Sequence, residues 1–219
     1  MPDNVNKVAL SSQRLKCLDV DQYLLDTVRQ DRIGKRLSEE EIKRKIVLAK
    51  KIAKELATYY QVKLGLKSVE ALVQYLKLTV EFRDEKIEDY FAIIGFYESP
   101  SKIVINQLYR ENDGFWLEVQ ADEWQFDHWS SVIVAHEAFH AIQEKTALDL
   151  SEFEVELWQV LGFQKNSPVT ILIEVVANYF AQYFTGFPYY PAILDNIALM
   201  PIYPEAIHEV IETLPIVAI

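Results

Sequence analysis

The sequence predicts an α+β fold with a helical N-terminal region, on three observations. Residues 38–60 repeat apolar side chains at helical spacing behind a capping signal. Residues 91–120 break into short β-like runs separated by turn residues. Beyond residue 129, two long segments are apolar nearly all round, as buried helices are. With 219 residues, 50% of them hydrophobic, the chain is long and apolar enough to bury a real core. We expect a basic helical region over 1–85 and an α+β domain over 86–219.

In chain order, residues 20–31 read as a short helix. Ser38 with Glu41 three residues on forms a capping box, and Ile42, Ile46, Ala49, Ala53, Leu56 and Ala57 follow at helical spacing to about Tyr60. Gly65 breaks this helix, and Ser68 caps a third through Leu72, Val73 and Leu76. The charged stretch Phe82 to Asp89 marks the domain boundary. Phe91–Tyr97, Lys102–Asn106 and Phe115–Gln120 read as strands, the last following an Asn112-Asp113-Gly114 turn. That third strand is a candidate edge for pairing with an extended peptide. Trp129–Lys145 reads as a buried helix, and 151–161 as another. Ser167-Pro168 signals a helix start, with Ser at N-cap and Pro at N1, and that helix stops at Gly186. Four later prolines divide the remainder into short helices.

Charge is unevenly placed. Residues 1–67 carry 15 Lys/Arg against 9 Asp/Glu, and 68–219 carry 7 against 24, so halves of +6 and −17 make up the net −11. The basic residues at 43–54 interleave with acidic ones and read as the solvated face of a helix. The acidic total argues against a nucleic-acid partner. No apolar run is long enough to span a bilayer. The single Cys17 and the absence of a signal-peptide pattern point to a reducing compartment, the cytoplasm.

The chemistry concentrates in His136-Glu137-Ala138-Phe139-His140. Two histidines four apart share one helical face, so their imidazoles can converge on one Zn²⁺ with Zn–N distances of about 2.0–2.1 Å. Glu137 is then placed as the general base for a metal-activated water. A buried helix carrying these three polar groups would be unstable without a partner for each. The third ligand must come from elsewhere. Glu174 is the best candidate, as the only charged residue of an otherwise apolar helix. Its rivals Glu152, Glu154 and Glu156 read as the wet face of a helix. Asn178, one turn beyond Glu174, could hold the free ring nitrogen of a ligand histidine.

An HExxH helix followed by Glu174-x-x-Ala177-Asn178-x-Phe180-Ala181 resembles the gluzincin zinc metallopeptidases, and within them the ImmA/IrrE-type peptidases. The resemblance spans roughly residues 91–186. It implies a small zincin-like core, peptidase activity, His136, His140 and Glu174 as zinc ligands, and Glu137 as general base acting on a peptide or protein substrate. Tyr189, Tyr190 and His208, beyond Gly186, are candidates to stabilise the oxyanion. Two other classes stay open: an inactive zinc-binding interaction module, and a regulator acting through the basic N-terminal helices.

Overall fold

The computed structural model describes residues 2–85, 93–160 and 163–217. Four helices come first: α1 (Pro2–Lys16), α2 (Val20–Gln30), α3 (Glu39–Thr58) and α4 (Val69–Tyr75). Strands β1 (Thr79–Arg83), β2 (Gly95–Glu98) and β3 (Lys102–Asn106) follow, then the short α5 (Asp113–Glu118) and the long α6 (Phe126–Thr146). A hairpin of β4 (Glu154–Val160) and β5 (Phe163–Pro168) leads into α7 (Thr170–Thr185), and α8 (Leu194–Leu199) and α9 (Pro204–Thr213) close the described chain. The class is therefore α+β.

Local chemistry sets the early boundaries. Ser38 accepts a hydrogen bond from the Glu41 backbone N–H, and the Glu41 carboxylate accepts one from Ser38 N–H at 2.8 Å, so the capping box that opens α3 is formed. Ser68 caps α4 through the Ala71 N–H, as expected. Ile42, Ile46, Ala49, Ala53 and Ala57 line the buried stripe of α3, and its helix continues through a π turn at Tyr59–Lys63. Helix α1 and strand β1 are additions to the sequence reading, which saw only a charged boundary near β1.

The sheet order is β1-β3-β2. β1 runs parallel to β3 from Thr79↔Lys102 to Arg83↔Asn106, and β2 runs antiparallel to it. The first half of the expected strand Phe91–Tyr97 falls largely on residues 91 and 92, outside the described residues. α6 lies against β2 and β3 on one side and α7 on the other, and α7 packs in turn on α3. α1 packs on α9. One hydrophobic core runs from Val8 of α1 to Ile211 of α9. β1 and α3, which precede residue 86, share this core with the sheet and helices that follow it.

Three expectations are corrected. Phe115–Gln120 is not a strand: α5 turns there, with Trp116 buried and Leu117 exposed, so it offers no edge to a peptide. The expected helix over 151–161 is absent from its described part, residues 151–160. A 3-10 turn at Ser151–Phe153 passes into β4, and the alternation of Glu152, Glu154 and Glu156 with apolar residues is the period of a strand. Ser167-Pro168 does not open α7. It ends β5, where Val155 pairs with Ser167 and Glu154 with Pro168. The helix starts at Thr170 behind Val169, with no side-chain cap. Val169 N–H bonds Phe153 O at 2.9 Å, so by antiparallel alternation Pro168 sits at a non-hydrogen-bonded position and no ladder donor is lost there. Among the described residues, no helix is long and apolar enough to cross a membrane.

Candidate metal centre

α6 and α7 bring the three expected ligands together. Both helices are buried almost all round, and the rings of Phe139 and Phe180 pack between them at 6.0 Å. His136 and His140 project from one face of α6, and Glu174 meets them from α7. His136 Nε2 stands 3.1 Å from Glu174 Oε2 and 3.3 Å from His140 Nε2, and His140 Nε2 is 3.5 Å from the same carboxylate oxygen. Ligands at about 2.0–2.1 Å around a tetrahedral Zn²⁺ sit about 3.3 Å from one another. The three atoms thus have the spacing of one face of such a tetrahedron. This cluster could hold a metal ion.

The hydrogen bonding favours that occupant. His136 Nδ1 lies 3.2 Å from Asn178 Oδ1, an acceptor, so Nδ1 carries the proton and donates. In the neutral ring Nε2 then presents a lone pair towards the Glu174 carboxylate and His140, an opposition of acceptors that a metal ion resolves, as does a proton on Nε2 in a metal-free protein. Asn178, the expected orienting residue, also bonds the buried Tyr190 hydroxyl. Tyr190 packs in turn on Tyr179 and Tyr23, with centroids 5.2 and 6.2 Å apart.

No protein-family model, no curated protein and no solved structure matches this chain. The site must be read from its own geometry.

Electrostatics agree with that geometry. Burial opposes charge on Glu174, yet the hydrogen bonds and charges of His136 and His140 outweigh it and hold the carboxyl well below the usual range. Burial likewise opposes charge on His136, but the Glu174 bond and the Glu137 and Glu174 charges raise its basicity. Glu137 is only 8% exposed. That burial raises its carboxyl above the usual range, against the pull of His136 and His140, while the Tyr97 backbone N–H donates to it. The donor comes from an open edge. Asn106 N–H bonds Ile94 O, so by antiparallel alternation the Gly95 and Tyr97 backbone groups face away from β3. Among the described residues β2 has no strand on that side.

The candidates beyond Gly186 scatter. His208 Nδ1 is 2.8 Å from Ser11 Oγ, joining α9 to α1. Tyr189 belongs to an aromatic group with Trp124 and Phe187, at 5.1 and 5.7 Å. Neither is part of the His136–His140–Glu174 cluster. Tyr190 does reach the site, but through Asn178 on the side of His136 away from Glu174. Sequence reasoning missed Asp195, on the first turn of α8. It is open to water yet crowded by protein, and this desolvation pushes its carboxyl up to about 6, with His136 opposing and Glu174 adding to the rise. No local pattern marks Asp195, because its place beside the site is set by the turn at Tyr190-Pro191 and not by helical spacing. Glu144, two turns from His136, accepts from Ser99 Oγ at 2.7 Å.

Proposed function

We propose that this protein is a zinc-dependent metallopeptidase of the gluzincin kind. The observation that carries the reading is the mutual 3.1–3.5 Å spacing of His136, His140 and Glu174 beside a buried Glu137. The His₂Glu set with a fourth direction open is the donor arrangement of a catalytic zinc rather than a closed structural one. When bound, zinc would supply Lewis acidity, polarising the scissile carbonyl and acidifying the attacking water.

The chain's own residues do the rest. Glu137 takes the proton of the attacking water and delivers it to the leaving amine. Its raised proton affinity, a consequence of burial, suits a group that must both accept and release a proton near neutrality. The Tyr97 N–H fixes the carboxylate against β2. The outward backbone groups of β2 other than the Tyr97 N–H offer an extended substrate a strand to pair with, the part first assigned to residues 115–120. Asn178 and Tyr190 hold the His136 ring.

Metal analysis by mass spectrometry tests the reading, beside hydrolysis of casein and a peptide library. We expect about one zinc per chain and cleavage. Glu137→Gln should keep the zinc and lower hydrolysis by about 10²–10⁴-fold. Full zinc occupancy without hydrolysis of any substrate would instead favour a zinc-binding interaction module.

A further inference from the structure

We propose that the groove leading away from the metal centre selects substrates carrying Lys or Arg beside the cleaved bond. The inference rests on the metallopeptidase reading for the identity of the site, and its chemistry rests on the groove. An open groove of about 810 Å³ is lined by His140 of α6, Tyr97 of β2 and Ile173 of α7. It is therefore continuous with the ligand cluster, on the side that β2 borders, and is wide enough for peptide side chains.

Its charged lining has one sign. Glu144 on the last turns of α6, Asp149 in the following loop and Glu154 at the start of β4 all line this groove, and among the described residues no Lys or Arg does. All three are exposed. Their partners are neutral: Ser99 Oγ–H donates to Glu144, and the Ser151 N–H donates to Asp149 at 2.9 Å. Among the described residues none of the three makes an ion pair.

Several acids elsewhere on the surface do meet a cation. Glu39 meets Arg29 and Lys43, Asp21 meets Lys50, Glu81 and Glu98 meet Lys102, and Asp127 meets Arg110. Where a cation sits beside each of those carboxylates, the groove keeps its three unanswered. Like charges lining a concave surface focus a negative potential, which attracts cations and repels acidic chains. An acidic peptide entering here meets three unneutralised carboxylates, whereas a Lys or Arg side chain supplies the missing partner.

The experiment measures binding, not turnover. Fluorescein-labelled Gly/Ala peptides carrying Lys and Arg, or Glu in their place, are titrated by anisotropy onto zinc-loaded Glu137→Gln protein. We expect the basic peptide to bind about tenfold tighter, an advantage that falls with added salt. Glu144→Gln, Asp149→Asn and Glu154→Gln combined should remove the advantage while leaving zinc content and fold unchanged. Equal affinity for the two peptides, no binding of either, or an advantage that survives the triple substitution would overturn the proposal. Zinc is assayed on the same preparations. A zinc-replete protein without charge preference removes this inference alone. A protein that takes up no zinc yet prefers the basic peptide removes the metallopeptidase reading and keeps the groove.

Discussion

Helix α3 and the α6–α7 pair treat ionisable residues in opposite ways. α3 buries a single apolar stripe and turns most of its charges to water, where Lys43 and Arg44 pair with Glu39 and Glu40 one turn back and Lys51 with Glu55 one turn on. Such exposed pairs contribute little to stability, and their role is solvation. α6 and α7 are buried nearly all round, and the ionisable groups in their middles are His136, Glu137, His140 and Glu174. There a charge is costly unless something specific meets it. The basic N-terminal region therefore spreads its many charges over the surface, and the apolar pair gathers its four around the candidate metal centre.

The comparison breaks most sharply if the ligands prove dispensable. His140→Ala and Glu174→Ala should each take zinc from about one equivalent to none after dialysis, measured by mass spectrometry. Retained zinc in both would make the cluster a set of buried polar residues satisfied by one another. Asn178→Ala is a smaller step along the same axis. Without the acceptor that fixes the His136 ring, zinc affinity measured by competition with a chelator should fall about 10–100-fold, while the fold remains.

The site was legible in the sequence because its signals are local. His136, Glu137 and His140 share one turn of one helix, and Glu174 with Asn178 repeats that spacing on another, so helical geometry alone presents each pair on a common face. What joins the two helices is tertiary, yet a lone acid in an apolar helix already announced a partner. The misread elements are those where short patterns fit two structures. Phe115–Gln120 is six residues of mixed apolar character, too short for periodicity to separate strand from helix. It folds as α5 because Trp116 is buried in the core and Asp113 ties its start to the Phe126 N–H at 2.6 Å. In 152–157 the strict alternation was present, and reading its carboxylates as the wet face of a helix mistook a period of two for one of 3.6. Asp195 was invisible for the opposite reason. Its importance lies wholly in where the chain returns after α7.

On the α3 side the effects shrink and leave the metal untouched. Ser38→Ala deletes the side chain that accepts the Glu41 N–H at the start of α3. The loss is about 1 kcal/mol, or roughly 2–4 °C in the thermal midpoint of a chain this size, with zinc content unchanged. If zinc binding weakened in step, α3 would be holding α7 in the geometry of the site rather than merely packing on it.

Glu39→Gln should do least, and that makes it the sharpest control. It removes one negative charge, as each substitution in the groove does, but at a position where Arg29 and Lys43 already neutralise it. Thermal midpoint, zinc content and the affinity for a basic peptide should all stay within error of the unsubstituted protein. If Glu39→Gln weakened the basic peptide as much as Glu144→Gln, the attraction would come from the overall −11 charge. The contrast between the paired Glu39 and the unpaired groove carboxylates would then have no bearing on binding. If only the groove substitutions act, the placement of carboxylates matters and their number does not, which is the distinction that separates the two regions.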